Sequence, residues 1–327
     1  MSVDTRHLFI SSLVVLATAN TTMLWGRLVV LALFLGAFGI EALALGLLAE
    51  ALLSLVFIAS VEQLKGVFHE FTILGGLCLV GLLMIALSAE LLAQGFVISY
   101  VILYATQRIL RDLLFIHAWR YISSHYSSHL QYLLMPLNVY SRMMFIPAGV
   151  VLALLSLVVE AQSLILFWWG ALLATLLSLT FFADEFPHLR RVQSPEVARR
   201  HMIWERATSA LATFAETPMT RLLGLSALSL TMALSVLFYK LVDQLWASAV
   251  SEEALIGGLA LLTSVVTLLA LPIRYVFLPR ALNLFGMRRV NLLYTLWLSI
   301  SVGLIAFVPG LVSAAVAEFT RTSLRFS

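Results

Sequence analysis

Apolar residues fall in blocks of about 20 along this chain, separated by short polar breaks. The blocks cover 8–33, 41–60, 71–90, 94–117, 139–159, 163–183, 219–242, 255–273 and 290–309. Each is long enough for a helix to cross about 30 Å of hydrocarbon. A tenth block starts near 314 and runs into the end of the sequence. The strict alternation of a transmembrane barrel is absent. The pattern predicts an all-α polytopic membrane protein with nine full transmembrane helices plus a partial tenth.

One stretch breaks the rhythm. Residues 184–218 form a polar linker. Within it, Ser194-Pro195-Glu196 reads as a helix start: a capping hydroxyl, a proline in the first turn and an acid at the positive end of the dipole. Val197, Trp204, Ala207, Leu211 and Phe214 then recur at helical spacing, opposite Arg199, Arg200, Glu205 and Arg206. This predicts an amphipathic helix on the membrane surface or between two bundles.

Composition excludes a soluble protein. Of 327 residues, 61% are hydrophobic and 11% charged. Soluble domains hold about 45–50% apolar and about 25% charged residues. The single cysteine, Cys78, excludes a disulfide framework. The net charge of +3 comes from 20 Lys and Arg against 17 Asp and Glu. Its placement argues for topology, not for a nucleic-acid partner. The loops 34–41, 88–94, 158–163, 244–254 and 309–319 hold no Lys or Arg, whereas most cations lie at the opposite ends of the blocks. By the positive-inside rule the N-terminus and the 184–218 linker are cytoplasmic. The expected location is therefore the inner (plasma) membrane, crossed many times.

The sequence also resembles itself at an offset of about 213. Trp25-Gly26-Arg27-Leu28-Val29 aligns with Phe238-Tyr239-Lys240-Leu241-Val242, and Glu41-Ala42-Leu43 with Glu253-Ala254-Leu255. Arg108 and Arg111 align with Arg321 and Arg325. Such a parallel repeat of six spans divides the chain into a first half (1–183), a linker (184–218) and a second half (219–327). The second half is expected to be incomplete, because residue 327 corresponds to a point partway through the fourth helix of the repeat.

Charged and polar groups inside apolar blocks are the candidate chemistry. A cation at mid-membrane costs roughly 2.5–3.5 kcal/mol on insertion scales, so it normally faces a partner or a watery cavity. Arg27, Arg108, Arg111 and Lys240 are candidates for binding an anion. Arginine's planar fork suits a carboxylate or phosphate. Asp112 and Asp243 are candidates for a gate or an ion pair. Asn20, Thr21 and Gln107 are candidates for a polar cavity lining. The competing expectation is structural: salt bridges at α-helical neighbours, a Lys240–Asp243 pair, and hydroxyls bonded to the preceding turn. His125 and His129 are spaced i, i+4 but lack a third ligand, so no metal is expected. No Gly-rich phosphate loop, nucleophile elbow, HExxH or CxxC occurs, so neither an enzyme nor a cofactor is expected.

The two-half plan resembles the major facilitator superfamily. Residues 280–289, RALNLFGMRR, are similar to its cytoplasmic loop motif at Gly286, Arg288 and Arg289, with Asn283 where an aspartate is usual. Within it, the chain looks closest to the bacterial ATP/ADP carrier-like (nucleotide-transporter-like) branch. That resemblance rests on Arg27, FGIEAL at 38–43, QRILRDLLFIHAWRY at 107–121 and MPLNVYSR at 135–142. It implies a transporter fold and anionic solutes. The expected function is secondary transport of an anionic small molecule by alternating access between pseudo-symmetric halves. The alternative is a non-transporting subunit or scaffold of a membrane complex, with protein partners, built on a transporter fold.

Overall fold

A computed structural model describes residues 3–64, 68–183, 218–308 and 310–324. Among them the chain is helical throughout, without a strand. The helices are α1 (Val3–Phe38), α2 (Glu41–Leu64), α3 (Glu70–Ala93), α4 (Ile98–Ser123), α5 (Leu134–Met143), α6 (Phe145–Leu155) and α7 (Leu164–Phe181). They continue as α8 (Pro218–Ser248), α9 (Glu252–Pro272), α10 (Leu278–Phe307) and α11 (Leu311–Leu324). The amphipathic helix expected within 184–218 lies outside the described residues, Pro218 apart.

Among the described residues, five helical stretches are long and apolar enough to cross a membrane: Thr5–Phe38, Glu70–Ala93, Ser128–Leu155, Leu164–Phe181 and Glu252–Ala281. The protein is therefore membrane-embedded in character. Its outer surface agrees, with Leu45, Leu83, Leu157, Val158, Phe181 and Phe307 widely exposed. In hydrocarbon such side chains are solvated by lipid tails.

Helix α1 is the hub. It packs against α4, α7, α5, α6 and α9. Every residue from Leu28 to Leu35 is buried, as expected of a helix that is apolar all round and enclosed by others. Lipid tails compete equally for apolar groups, so close shape fit must hold the helices together. Glycines make that fit possible. Gly26 lies directly under the Trp168 indole, and Gly81 meets Leu110 and Leu172. Gly149 of α6 faces Ser264 and the Ala260 carbonyl of α9, while Gly257 of α9 faces Ser156. Trp25 Nε1 adds a hydrogen bond to the Ala148 carbonyl at 2.9 Å.

Two segments differ from the expectation. The apolar pattern predicts one helix over 139–159 for the fifth block. It begins earlier, with a 3-10 turn at Ser128–Leu133, and breaks between α5 and α6 at Met144. Pro147 explains the break: it has no N–H to offer Met143, so the ladder resumes only with the Ala148 N–H on the Met144 carbonyl at 3.1 Å. The apolar pattern predicts a loop over 274–289. Instead helix continues from α9 through a π turn at Ile273–Phe277 into α10, and departs from helical geometry at Gly286, with φ 74° and ψ 161°. Pro272, lacking an N–H, lies next to the widened turn.

Moved by about 213 positions, α1 to α4 begin within a few residues of α8 to α11. The packing repeats as well. Helix α4 lies against α1 and α3, and α11 lies against α8 and α10.

The α6–α9 contact predicts a mutational contrast. A Cβ at Gly149 would sit 2.8 Å from the Ala260 carbonyl, a backbone atom that cannot rotate away. Gly149→Ala should destabilise the detergent-solubilised protein by about 1–3 kcal/mol. Gly75→Ala, with nothing within 4 Å, should leave the unfolding midpoint unchanged or slightly higher. Equal midpoints for the two variants would contradict the packing.

Candidate functional site

The central feature is an ion cluster between α2 and α4. Arg108 and Arg111 are i, i+3 on α4 and project to one face. Both reach Glu50 of α2. Arg108 Nη1 donates to Glu50 Oε1 at 3.2 Å, and Arg108 Nε stands 3.1 Å from Oε2. That second approach is ionic but too bent for a hydrogen bond, which leaves both atoms without one. Arg111 Nη2 also donates to Glu50 Oε1, and Arg111 Nε donates to Asp112 Oδ1 at 2.9 Å. Ser54, one turn beyond Glu50, donates to Asp112 Oδ2 at 2.9 Å.

Aromatic groups close the inner side. Arg108 Nη2 donates to the Tyr104 hydroxyl at 3.1 Å. The Arg108 guanidinium also lies 4.9 Å from the Tyr104 ring centroid, a cation–π geometry. Tyr104 packs on Phe34 of α1 with centroids 4.5 Å apart. The cluster is buried but not sealed: side-chain exposure is 4% for Arg108, 12% for Glu50, 16% for Arg111 and 22% for Asp112. Gln107 shares this helix face and is buried, with no hydrogen-bond partner for Nε2.

The other candidates lie apart. The Arg27 guanidinium sits 4.8 Å from the Phe238 ring centroid. Phe238 belongs to the segment that aligns with Trp25-Gly26-Arg27, so the two repeat segments meet in space. Lys240 points elsewhere and pairs with Asp243 at 3.3 Å, both substantially exposed. Asn20 Nδ2 donates to the Ser141 carbonyl at 2.9 Å, tying α1 to α5. Thr21 returns its hydroxyl to the Ala17 carbonyl at 2.9 Å. The Arg321 side chain and the whole of Arg325 lie outside the described residues. Among the described residues no group of three metal-ligating side chains occurs.

Three buried acids or pairs stand outside the candidates that the sequence pattern offers. Glu50 is the most important. Its signal was present: two arginines and one aspartate in the fourth block leave one positive charge, and Glu50 is the acid in the middle of the second block. His117 Nδ1 lies 2.6 Å from Glu70 Oε2, linking α4 to the start of α3. Glu318, read as part of a loop, is buried two turns inside α11. A cavity of about 530 Å³ opens between the ends of α3 and α7, lined by Glu90, Glu160, Gln162 and Trp169 but by none of the arginines.

Comparison of this chain with protein-family models, with curated proteins and with solved structures finds no match.

The shared carboxylate predicts strong coupling. Arg108→Gln strands a buried negative charge and should cost about 3–5 kcal/mol, as breaking one partner of a buried pair does. Glu50→Gln strands a positive charge. The double variant restores neutrality and should lose clearly less than the two singles combined. Additive losses in denaturation of the detergent-solubilised protein would contradict a common cluster.

Proposed function

We propose that this protein is a secondary-transporter-type integral membrane protein for an anionic solute, working by alternating access between two pseudo-symmetric halves. The observation that carries the reading is the pair of arginines, Arg108 and Arg111, held side by side on a membrane-embedded helix bundle. Ionisable groups buried within a membrane bundle are expensive and normally mark a solute or ion path. Two guanidinium forks on one face suit a carboxylate or phosphate. The repeated packing of α1–α4 and α8–α11 supports two related halves, with 184–218 between them. The contact of α6 with α9 gives a surface on which the halves can rock. The charge asymmetry of the loops supports an inner-membrane orientation with the N-terminus inside.

A second reading has its own support. The cluster is self-neutralised, Arg27 rests on Phe238, and Lys240 is taken by Asp243. A non-transporting scaffold in a membrane complex would need nothing more from these charges.

Uptake into proteoliposomes distinguishes the two. Lactate and inorganic phosphate, one carboxylate and one phosphate, are suitable first solutes. Transport predicts saturable uptake of at least one of them. It should fall tenfold or more in Arg111→Glu and less than twofold in Lys240→Gln, whose charge Asp243 already cancels. No uptake, together with stable protein partners co-purifying through α8–α10, would favour the scaffold.

A further inference from the structure

The transport reading leaves a charge problem, and the present inference rests on that reading. Glu50 and Asp112 cancel Arg108 and Arg111. A monoanion that takes the arginines adds one uncompensated negative charge to a buried site. Isolated charges in such surroundings are strongly disfavoured. The anion must therefore arrive with a positive charge, or one carboxylate must become neutral.

Glu50 is the group placed to do so. Its carboxylate already occupies the seat between both guanidinium groups, where a solute carboxylate or phosphate would bind. Its Oε2 carries no hydrogen bond, whereas both Asp112 oxygens accept one, from Arg111 and from Ser54. The groups facing Glu50 are few. Helix α4 supplies Arg108, Arg111 and, behind them, Asp112 and Tyr104. Helix α2 supplies Ser54, and α1 contributes the apolar Phe34 behind Tyr104. Helix α8, which also touches α2, carries Lys240 and Asp243 paired with each other.

We propose that Glu50 is the built-in competitor for the solute, and that each monoanion bound is accompanied by one proton taken up on Glu50. The carboxylate gains the proton and becomes a neutral acid. The N–H donors of Arg108 and Arg111 that it releases turn to the oxygens of the incoming anion. No other bond forms or breaks, and the site is neutral before and after. Arg108 Nε, a buried donor without a hydrogen bond, stands 3.1 Å from Glu50 Oε2 at that seat to complete the anion's shell.

The test uses the full-length protein in detergent. Lactate and inorganic phosphate, the latter at pH 6 where it is mainly a monoanion, are bound in weakly buffered solution with a pH-indicator dye. Binding is also measured by calorimetry in two buffers of different ionisation enthalpy. The wild-type protein should take up about one proton per anion, and its affinity should fall about tenfold per pH unit where Glu50 is ionised. Glu50→Gln, a neutral stand-in for the protonated acid, should bind at least as tightly, without proton uptake and without pH dependence. Its elution profile and unfolding midpoint report its folding, and the wild-type measurement needs no variant. Binding without proton uptake overturns this inference and leaves the transport reading intact. Uptake kept in Glu50→Gln but lost in Asp112→Asn overturns the assignment to Glu50. No binding of either anion to either form overturns both readings.

Discussion

Buried charges are tolerated only while they cancel, and the Glu50–Arg108–Arg111–Asp112 cluster imposes that condition on the helices around α4. Its consequences reach well beyond four side chains. Helix α2 cannot rotate or slide along α4 without uncovering Glu50 from two arginines at once. Helix α4 cannot face lipid along its charged stripe, so α1, α2 and α3 must surround it. The Tyr104 ring completes the enclosure on the α1 side, and Phe34 holds that ring in place. Because the charges cancel and the side chains are only partly exposed, the cluster is at once a structural lock and a group of charges that a competing ion could unlock.

Away from the cluster, geometry replaces charge. Between apolar helices in lipid there is little hydrophobic force, so contacts depend on how closely backbones approach. Four glycines set the approaches that matter: Gly26 under Trp168, Gly81 against α4 and α7, and Gly149 and Gly257 across α6 and α9. The hydrogen bonds of Asn20 to the Ser141 carbonyl and of Trp25 to the Ala148 carbonyl then join α1 to the broken fifth span. That span is interrupted at Met144 beside Pro147, and its second piece, α6, makes most of the contact with α9.

The apolar blocks made the helices legible, because period and length are local properties. The breaks at Met144 and Gly286 were less so. Each depends on one residue whose backbone chemistry overrides an otherwise continuous pattern: the missing N–H of Pro147 and the positive φ open to Gly286. Of the candidate site, the two arginines and Asp112 were legible as rare charges in apolar surroundings. Glu50 was less so: as a lone acid in its block it gains meaning only from the neutrality that a buried group of charges requires. Asn20 and Thr21 look alike in sequence. Only packing separates them, since Asn20 reaches another helix and Thr21 folds back on its own turn. The linker helix at 184–218 stays an expectation from its capping and spacing.

The two repeats do not use their equivalent positions alike. By the offset of about 213, the turn of α9 that corresponds to Glu50 holds Thr263 and Ser264. Ser264 is small, hydrogen-bonds the Ile146 carbonyl at 3.2 Å and admits Gly149. No acid follows Glu253 anywhere in α9. Helix α9 therefore offers no carboxylate at the position where α2 offers Glu50. The buried acid of the second repeat, Glu318, stands on α11 itself. The corresponding helices are thus held by different means: α2 meets α4 through buried charge, whereas α9 meets α6 through small residues that let the backbones approach closely.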